Sequence, residues 1–277
     1  APKGELQLAL NFHQSGTWIH NNGTFKSNSA STEADFDINA STALYNWIHD
    51  GATFTIEPAT DGHTIIENAL TINSGAHLKP QDGADVTFGT SSQACTVTNN
   101  GTFTNRNSNN TVTFKGASSL YPFAYEGTDF DWDGDASAGN VQNYILSNCN
   151  WNPDITTGAY VNIQLAGDCE FDAVTVSANS TLDLNGQRVE FSGEFTAVNS
   201  DTADIKSTGG GLIIAHDNVE IDGSLEQMHD GDVNMIVHGG TDHDWRPIWA
   251  DGVGPTFRNL LVNGTVTTIA QVGHASG

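Results

Sequence analysis

Apolar and β-branched residues recur along the chain in triplets, each bounded by Gly, Asn, Asp or Ser. Phe54-Thr55-Ile56, Leu70-Thr71-Ile72, Val86-Thr87-Phe88, Val97-Thr98, Thr102-Phe103 and Val112-Thr113-Phe114 form one series. Val174-Thr175-Val176, Leu182-Asp183-Leu184, Val189-Glu190-Phe191, Leu212-Ile213-Ile214, Val219-Glu220-Ile221 and Val262-Asn263-Gly264-Thr265-Val266 continue it. Alternation over such brief runs predicts short strands, spaced about eight to ten residues apart. Between them stand Asn22-Gly23, Asp50-Gly51, Asp61-Gly62, Asp82-Gly83, Asn100-Gly101, Asn185-Gly186, Asp222-Gly223 and Asn263-Gly264. Asn and Gly tolerate positive φ, so each pair lets the backbone corner sharply.

Even strand spacing suits a β-sandwich or jelly roll as well as a coil of stacked strands. Repetition separates the two. Asn21-Asn22-Gly23-Thr24-Phe25 returns as Asn99-Asn100-Gly101-Thr102-Phe103. The phrase from Leu70 through Ile72-Asn73-Ser74-Gly75-Ala76 to Leu78 is echoed from Val174 through Val176-Ser177-Ala178-Asn179-Ser180 to Leu182. The two intervals differ, as they do when loops of varied length leave each coil, and the reading favoured is an all-β parallel β-helix, or solenoid. Two stretches break the rhythm. Residues 41–50 lack Gly and Pro and predict a short helix capped by Ser41. Residues 120–152 are dense in aromatics and Asp, and predict an excursion or junction between β-repeat regions at 1–119 and 153–277.

Composition narrows the function. Nine Lys and Arg against 33 Asp and Glu give a net charge of -24 over 277 residues, the opposite of what a phosphate backbone requires, so nucleic-acid binding is excluded. Charged residues make up 15 % of the chain, leaving Ser, Thr, Asn and Gly to supply the polar surface, a strand-and-turn composition. No apolar run approaches the roughly 18 residues of a membrane span. The opening Ala1-Pro2-Lys3-Gly4 has neither an initiator Met nor a signal-peptide core, so a processed or truncated product is expected. Cys95, Cys149 and Cys169 show no CxxC spacing and read as small buried hydrophobes, with a Cys149–Cys169 bridge as the alternative.

Candidate chemistry is sparse. Asp129-Phe130-Asp131-Trp132-Asp133-Gly134-Asp135, with Ser137 and Asn140 beyond, matches the first half of a calcium loop, in which alternate carboxylates converge on a hard cation. Asn140 stands where the pattern wants a bidentate Glu, so the reading is a loop-type calcium site set against a solvated acidic loop. A second cluster, His229-Asp230-Gly231-Asp232 and His238-Gly239-Gly240-Thr241-Asp242-His243-Asp244-Trp245, has metal-ligating residue types without HExxH spacing. Trp18, Trp47, Tyr121, Tyr125, Trp132, Trp151, Trp245 and Trp249 stand among polar residues, where rings either stack on sugar faces or cover core edges. Trp132, Trp151, Asp242, His243 and Trp245 are the ligand-binding candidates. Among 33 acids a carboxylate pair selects nothing, and no G-x-S-x-G, P-loop or G-x-G-x-x-G occurs.

The phrases His20-Asn21-Asn22-Gly23-Thr24-Phe25, Leu70-Thr71-Ile72-Asn73-Ser74-Gly75-Ala76 and the run from Val174 to Gly186 resemble the strand-turn wording of repetitive virion proteins of tailed, particularly marine, bacteriophages, and of bacterial surface β-helix proteins. The resemblance carries no fixed catalytic residues. It implies a rigid fibre, tailspike or capsid-decoration protein at a virion surface or outside the cell, often trimeric. Its expected partners are its own copies, other virion proteins and cell-surface glycans. The alternatives are a polysaccharide lyase or glycoside hydrolase on the same fold, and a bacterial surface adhesin.

Overall fold

The computed structural model describes residues 3–14, 18–28, 30, 34–38, 43–58, 63–105, 110–127, 130–132, 136–197, 203–207, 209–223, 234–238, 244–249, 259–263 and 268–269. Those residues form strands and turns and no helix, and contacts divide the chain into unit 1 (Ala1–Pro153) and unit 2 (Asp154–Gly277). Each unit is a parallel β-solenoid.

Unit 1 runs through β1 (Glu5–Leu8), β2 (Phe12–Gln14), β3 (Thr24–Ser27), β4 (Ala34–Ile38), β5 (Ala43–His49), β6 (Thr53–Pro58), β7 (His63–Ile72), β8 (His77–Pro80), β9 (Asp85–Phe88), β10 (Thr96–Asn99), β11 (Thr102–Phe103), β12 (Thr111–Lys115), β13 (Phe123–Gly127), β14 (Gln142–Ser147) and β15 (Cys149–Trp151). One sheet stacks β1, β3, β5 and β7 in parallel, and β2, β4, β6, β8 and β11 stack as the second. The long β7 then gives way to strand pairs: residues 63–66 pair with β9 and residues 69–72 with β10. These continue into β12 and β14, and into β13 and β15.

Unit 2 follows with β16 (Ile155–Thr156), β17 (Val161–Leu165), β18 (Cys169–Phe171), β19 (Val174–Val176), β20 (Thr181–Asp183), β21 (Arg188–Phe191), β22 (Phe195–Ala197), β23 (Asp204–Lys206), β24 (Leu212–Ala215), β25 (Val219–Gly223), β26 (Asn234–His238), β27 (Asp244–Trp249), β28 (Asn259–Asn263) and β29 (Thr268–Ile269). Three parallel stacks result: β17 with β20 and β23; β18 with β21, β24, β26 and β28; and β16 with β19, β22, β25, β27 and β29. The shortest step from one coil to the next is 19 residues, as where the Val161 N–H donates to Ser180 Oγ at 3.1 Å.

The repeated phrases prove to be corners and not copies of a unit. Thr24-Phe25 lies on β3 in the first sheet, whereas Thr102-Phe103 lies on β11 in the second. Corners are closed locally. Ala76 N–H donates to Asn73 O at 3.0 Å with Gly75 at φ 80°, and Ser180 N–H to Ser177 O at 3.2 Å with Asn179 at φ 58°. At Gln187 N–H to Leu184 O (2.8 Å), Asn185 and Gly186 both take positive φ, the pattern of a type I′ turn.

Residues 41–50 overturn the expected helix: Ala43–His49 is strand β5. It pairs with both β3 and β7, and this cross-coil hydrogen bonding outweighs local helix preference. The stretch 120–152 supplies β13, β14 and β15 and a cluster of core rings. Phe123, Tyr125, Phe130, Trp132, Tyr144 and Trp151 are all buried there, against Phe114 of β12. Tyr125 stacks on Trp151, its register neighbour, at 4.2 Å and 8°. Cys95, Cys149 and Cys169 are buried free thiols, so the Cys149–Cys169 bridge is not formed. Burial pushes the Cys95 thiol up to about 12, which keeps it protonated and inert at neutral pH.

One polar network lies wholly inside unit 1. Trp47 Nε1–H donates to Ser27 Oγ at 2.9 Å, and Ser27 Oγ stands 2.9 Å from His49 Nδ1. His49 Nε2 faces the carbonyls of Ala52 (2.9 Å) and His77 (3.1 Å), which assigns the proton to Nε2 and leaves Nδ1 to accept from the hydroxyl. Desolvation holds the His49 pKa below its ordinary 6.5. The unfolded chain therefore takes up a proton near 6.5 that the native core refuses. This contribution to stability is complete above 6.5 and is lost as pH falls below it, at no more than about 1.4 kcal/mol per pH unit. Urea titrations across that range are expected to show the slope, and His49→Gln to remove part of it. An identical slope in the variant would show that His49 titrates freely in the native state.

Candidate functional site

Because coils stay in register, outward side chains line up in columns along each unit, and the polar ones bond from coil to coil. In unit 1, Asn46 Nδ2 donates to Thr24 Oγ1 at 3.4 Å, Asn68 Nδ2 to Asn46 Oδ1 at 2.7 Å, and Gln93 Nε2 to Asn68 Oδ1 at 3.0 Å. Beside this amide column the His20 ring stacks on Tyr45 at 5.5 Å, with Nε2 3.2 Å from Glu67 Oε2. On the second sheet His13 Nδ1 meets Asp37 Oδ2 at 2.5 Å, and Asn11 Nδ2 donates to Asp35 Oδ2 at 3.1 Å. Asp50 is held below the usual carboxylate range, first by a hydrogen bond from Asn73 and then by Lys26, whose Nζ lies 3.5 Å away.

Another column joins three coils: His77 Nε2 is 3.0 Å from Thr104 Oγ1, which donates to Asp131 Oδ2 at 3.4 Å. Here the hydroxyl sits between the base and the acid. A nucleophilic triad needs the imidazole in the middle, taking the hydroxyl proton, so this order orients the threonine without activating it.

In unit 2, the Glu190 carboxylate is engaged by Arg188 Nη2 on one oxygen and by His216 Nε2, at 2.6 Å, on the other. The His216 ring stacks on His238 at 4.7 Å and 9°, and Glu170 stands beside Glu190 in register. Among the described residues, no group of three or more His, Cys, Asp or Glu side chains is placed to hold a metal ion.

The candidates from the sequence scatter. Asp129, Asp133 and Asp135 lie outside the described residues, as do Asp242 and His243. Asp131 occupies an isolated parallel bridge beside Thr104. Ser137 and Asn140 face each other across a turn closed by Ser137 N–H to Asn140 O (3.1 Å) and Asn140 N–H to Ser137 O (2.9 Å). Trp132 and Trp151 are 1 % and 0 % exposed, with ring centroids 4.9 Å apart. Their faces meet other rings, so no sugar face reaches them. Trp47 and Tyr125 are buried likewise, and Trp245 lies on β27 between Val219 and Ile269. Among the described residues, Tyr121, 65 % exposed beside Leu120, is the candidate ring that faces outward.

Sequence reasoning missed the amide column and the grouping of Arg188, Glu190, His216 and His238. Apart from Arg188 and Glu190, neighbours on one strand, the partners are 22 to 26 residues apart, an interval that has meaning only once the coil length is known.

The class these features define is an all-β parallel solenoid with columnar polar faces. No protein-family model matches the chain, and no curated protein and no solved structure is significantly similar to it.

Proposed function

We propose that this chain is a non-enzymatic structural and adhesive protein of a virion surface, of the tail-fibre, tailspike or capsid-decoration kind, acting as a homo-oligomer. The observation that carries this reading is the columnar exterior, in which outward hydroxyls, amides and carboxylates are tied from coil to coil. Side chains tied in this way lose little further freedom on contact. They also repeat along the axis at about the 4.8 Å strand spacing, which suits many weak, simultaneous hydrogen bonds to the hydroxyls of a cell-surface glycan. The strand-turn wording shared with repetitive virion proteins favours the same role.

In this reading the segment around Asp129, Asp131, Asp133, Asp135, Ser137 and Asn140 takes calcium. Chelation with EDTA is expected to lower the melting temperature, with recovery on adding calcium, because a ligand that binds only the native state stabilises it. An unchanged melting curve removes calcium from the account.

The adhesive role is tested with a panel of bacterial surface polysaccharides. The protein is expected to retain at least one of them while generating no new reducing ends and no unsaturated uronates. Turnover of any member would replace this reading with a glycan-cleaving enzyme on the same fold.

A further inference from the structure

The outward face of unit 2 changes character along its length. On β20, β21 and β23 the outward positions include Asp183, Glu190 and Asp204, half-buried charges typical of this acidic chain. On β24 and β26 the inward positions are Ile213, Ala215, Met235 and Val237, as a solenoid core requires. Yet three of the five outward positions are aliphatic too: Leu212, Ile214 and Ile236 are half-buried. Ile214 pairs with Ile236, and Ile236 with Leu261 on β28, which is 57 % exposed. Three successive coils thus place Ile214, Ile236 and Leu261 in one straight aliphatic strip. Beside it the Glu190 carboxylate is paired with Arg188 and hydrogen-bonded to His216, and His216 stacks on His238.

We infer that this strip is the contact between two copies of the chain, the sheet face of one lying against that of the other. The inference rests on the homo-oligomeric reading above and places its interface. Charge selects the occupant. A chain with net charge -24 repels its own copies wherever carboxylates face each other. The described outward positions of β24 and β26, namely Leu212, Ile214, Asn234, Ile236 and His238, hold no carboxylate, and the nearest one is already paired. A glycan would find few hydrogen-bonding groups on this strip, whereas an identical strip matches it. Two such faces bury their aliphatic rows at the roughly 10 Å separation of packed sheets.

The test is light scattering coupled to size exclusion, from about 1 to about 100 μM protein. The wild-type chain is expected to associate, more strongly as salt screens the remaining repulsion. Ile236→Glu is expected to weaken association at least about tenfold with the circular dichroism spectrum and melting curve retained. Leu261→Glu, at an exposed position, gives a second reading should Ile236→Glu fail to fold, and Leu120→Glu in unit 1 is expected to change nothing. Association that survives both unit 2 substitutions would overturn the placement of the interface while leaving a homo-oligomer. A wild-type monomer at every concentration and salt would overturn the interface and the oligomeric reading together, without touching glycan adhesion.

Discussion

Trp151→Ala is expected to lower the unfolding free energy by roughly 3–5 kcal/mol, the range for emptying a large aromatic site in a packed core. Trp151 is fully buried and meets Phe114, Phe123, Tyr125, Phe130 and Trp132. With Trp151 those rings come from four segments, so the cavity opens where β12, β13 and β15 converge with residues 130–132. Small domains hold about 5–15 kcal/mol in total, which makes this a large part of the reserve. Urea unfolding is expected to show a lower midpoint with an unchanged slope. A loss below about 1 kcal/mol would mean that the cluster collapses onto the vacancy and is not a jigsaw. Removing the whole stretch 120–152 is expected to unfold unit 1, because it carries coil strands and all of this aromatic cluster but Phe114.

Gly89→Ala is expected to cost a comparable amount, about 2–5 kcal/mol, by a different route. Gly89 has φ +92°, and a Cβ there would overlap the carbonyl of Lys115 in the neighbouring coil. The position joins two penalties: a left-handed backbone and a close approach of two main chains, which the Gly89 N–H to Ile66 O bond of 2.7 Å holds tight on its other side. Gly75→Ala separates them. Gly75 has φ +80° with open space where a Cβ would stand, so about 1–2 kcal/mol of backbone strain alone is expected. Equal melting temperatures for the two variants would show that the coils shift to admit the extra carbon.

These positions also show which features the chain revealed directly. Leu70-Thr71-Ile72 and Val112-Thr113-Phe114 alternate inward and outward as their pattern requires. Asn22-Gly23, Asp50-Gly51, Asp82-Gly83, Asn100-Gly101 and Asn185-Gly186 mark corners, whereas Asp222-Gly223 ends strand β25. Strand β5 was hidden by an irregularity. Its register with β7 shifts between Leu44 and Asn46, leaving the buried Leu44 and Trp47 three residues apart, a helical interval. Phe130 and Trp132 were hidden by their neighbours. Alternation with Asp129, Asp131 and Asp133 suggests an exposed acidic loop, yet both rings turn inward and Asp131 meets Thr104 outside. The columns and the aliphatic strip depend on which coil lies beside which. Leu212-Ile213-Ile214 reads only as an apolar run until pairing with β26 shows that it is apolar on both faces.

Cryo-EM of the native particle decides whether this chain is a structural and adhesive component of a virion surface. The chain is expected in many symmetry-related copies on a capsid, tail or fibre, with solenoid coils resolved and contacts between copies at the unit 2 strip. A particle without the chain, together with a free monomer that cleaves glycans, would contradict that role.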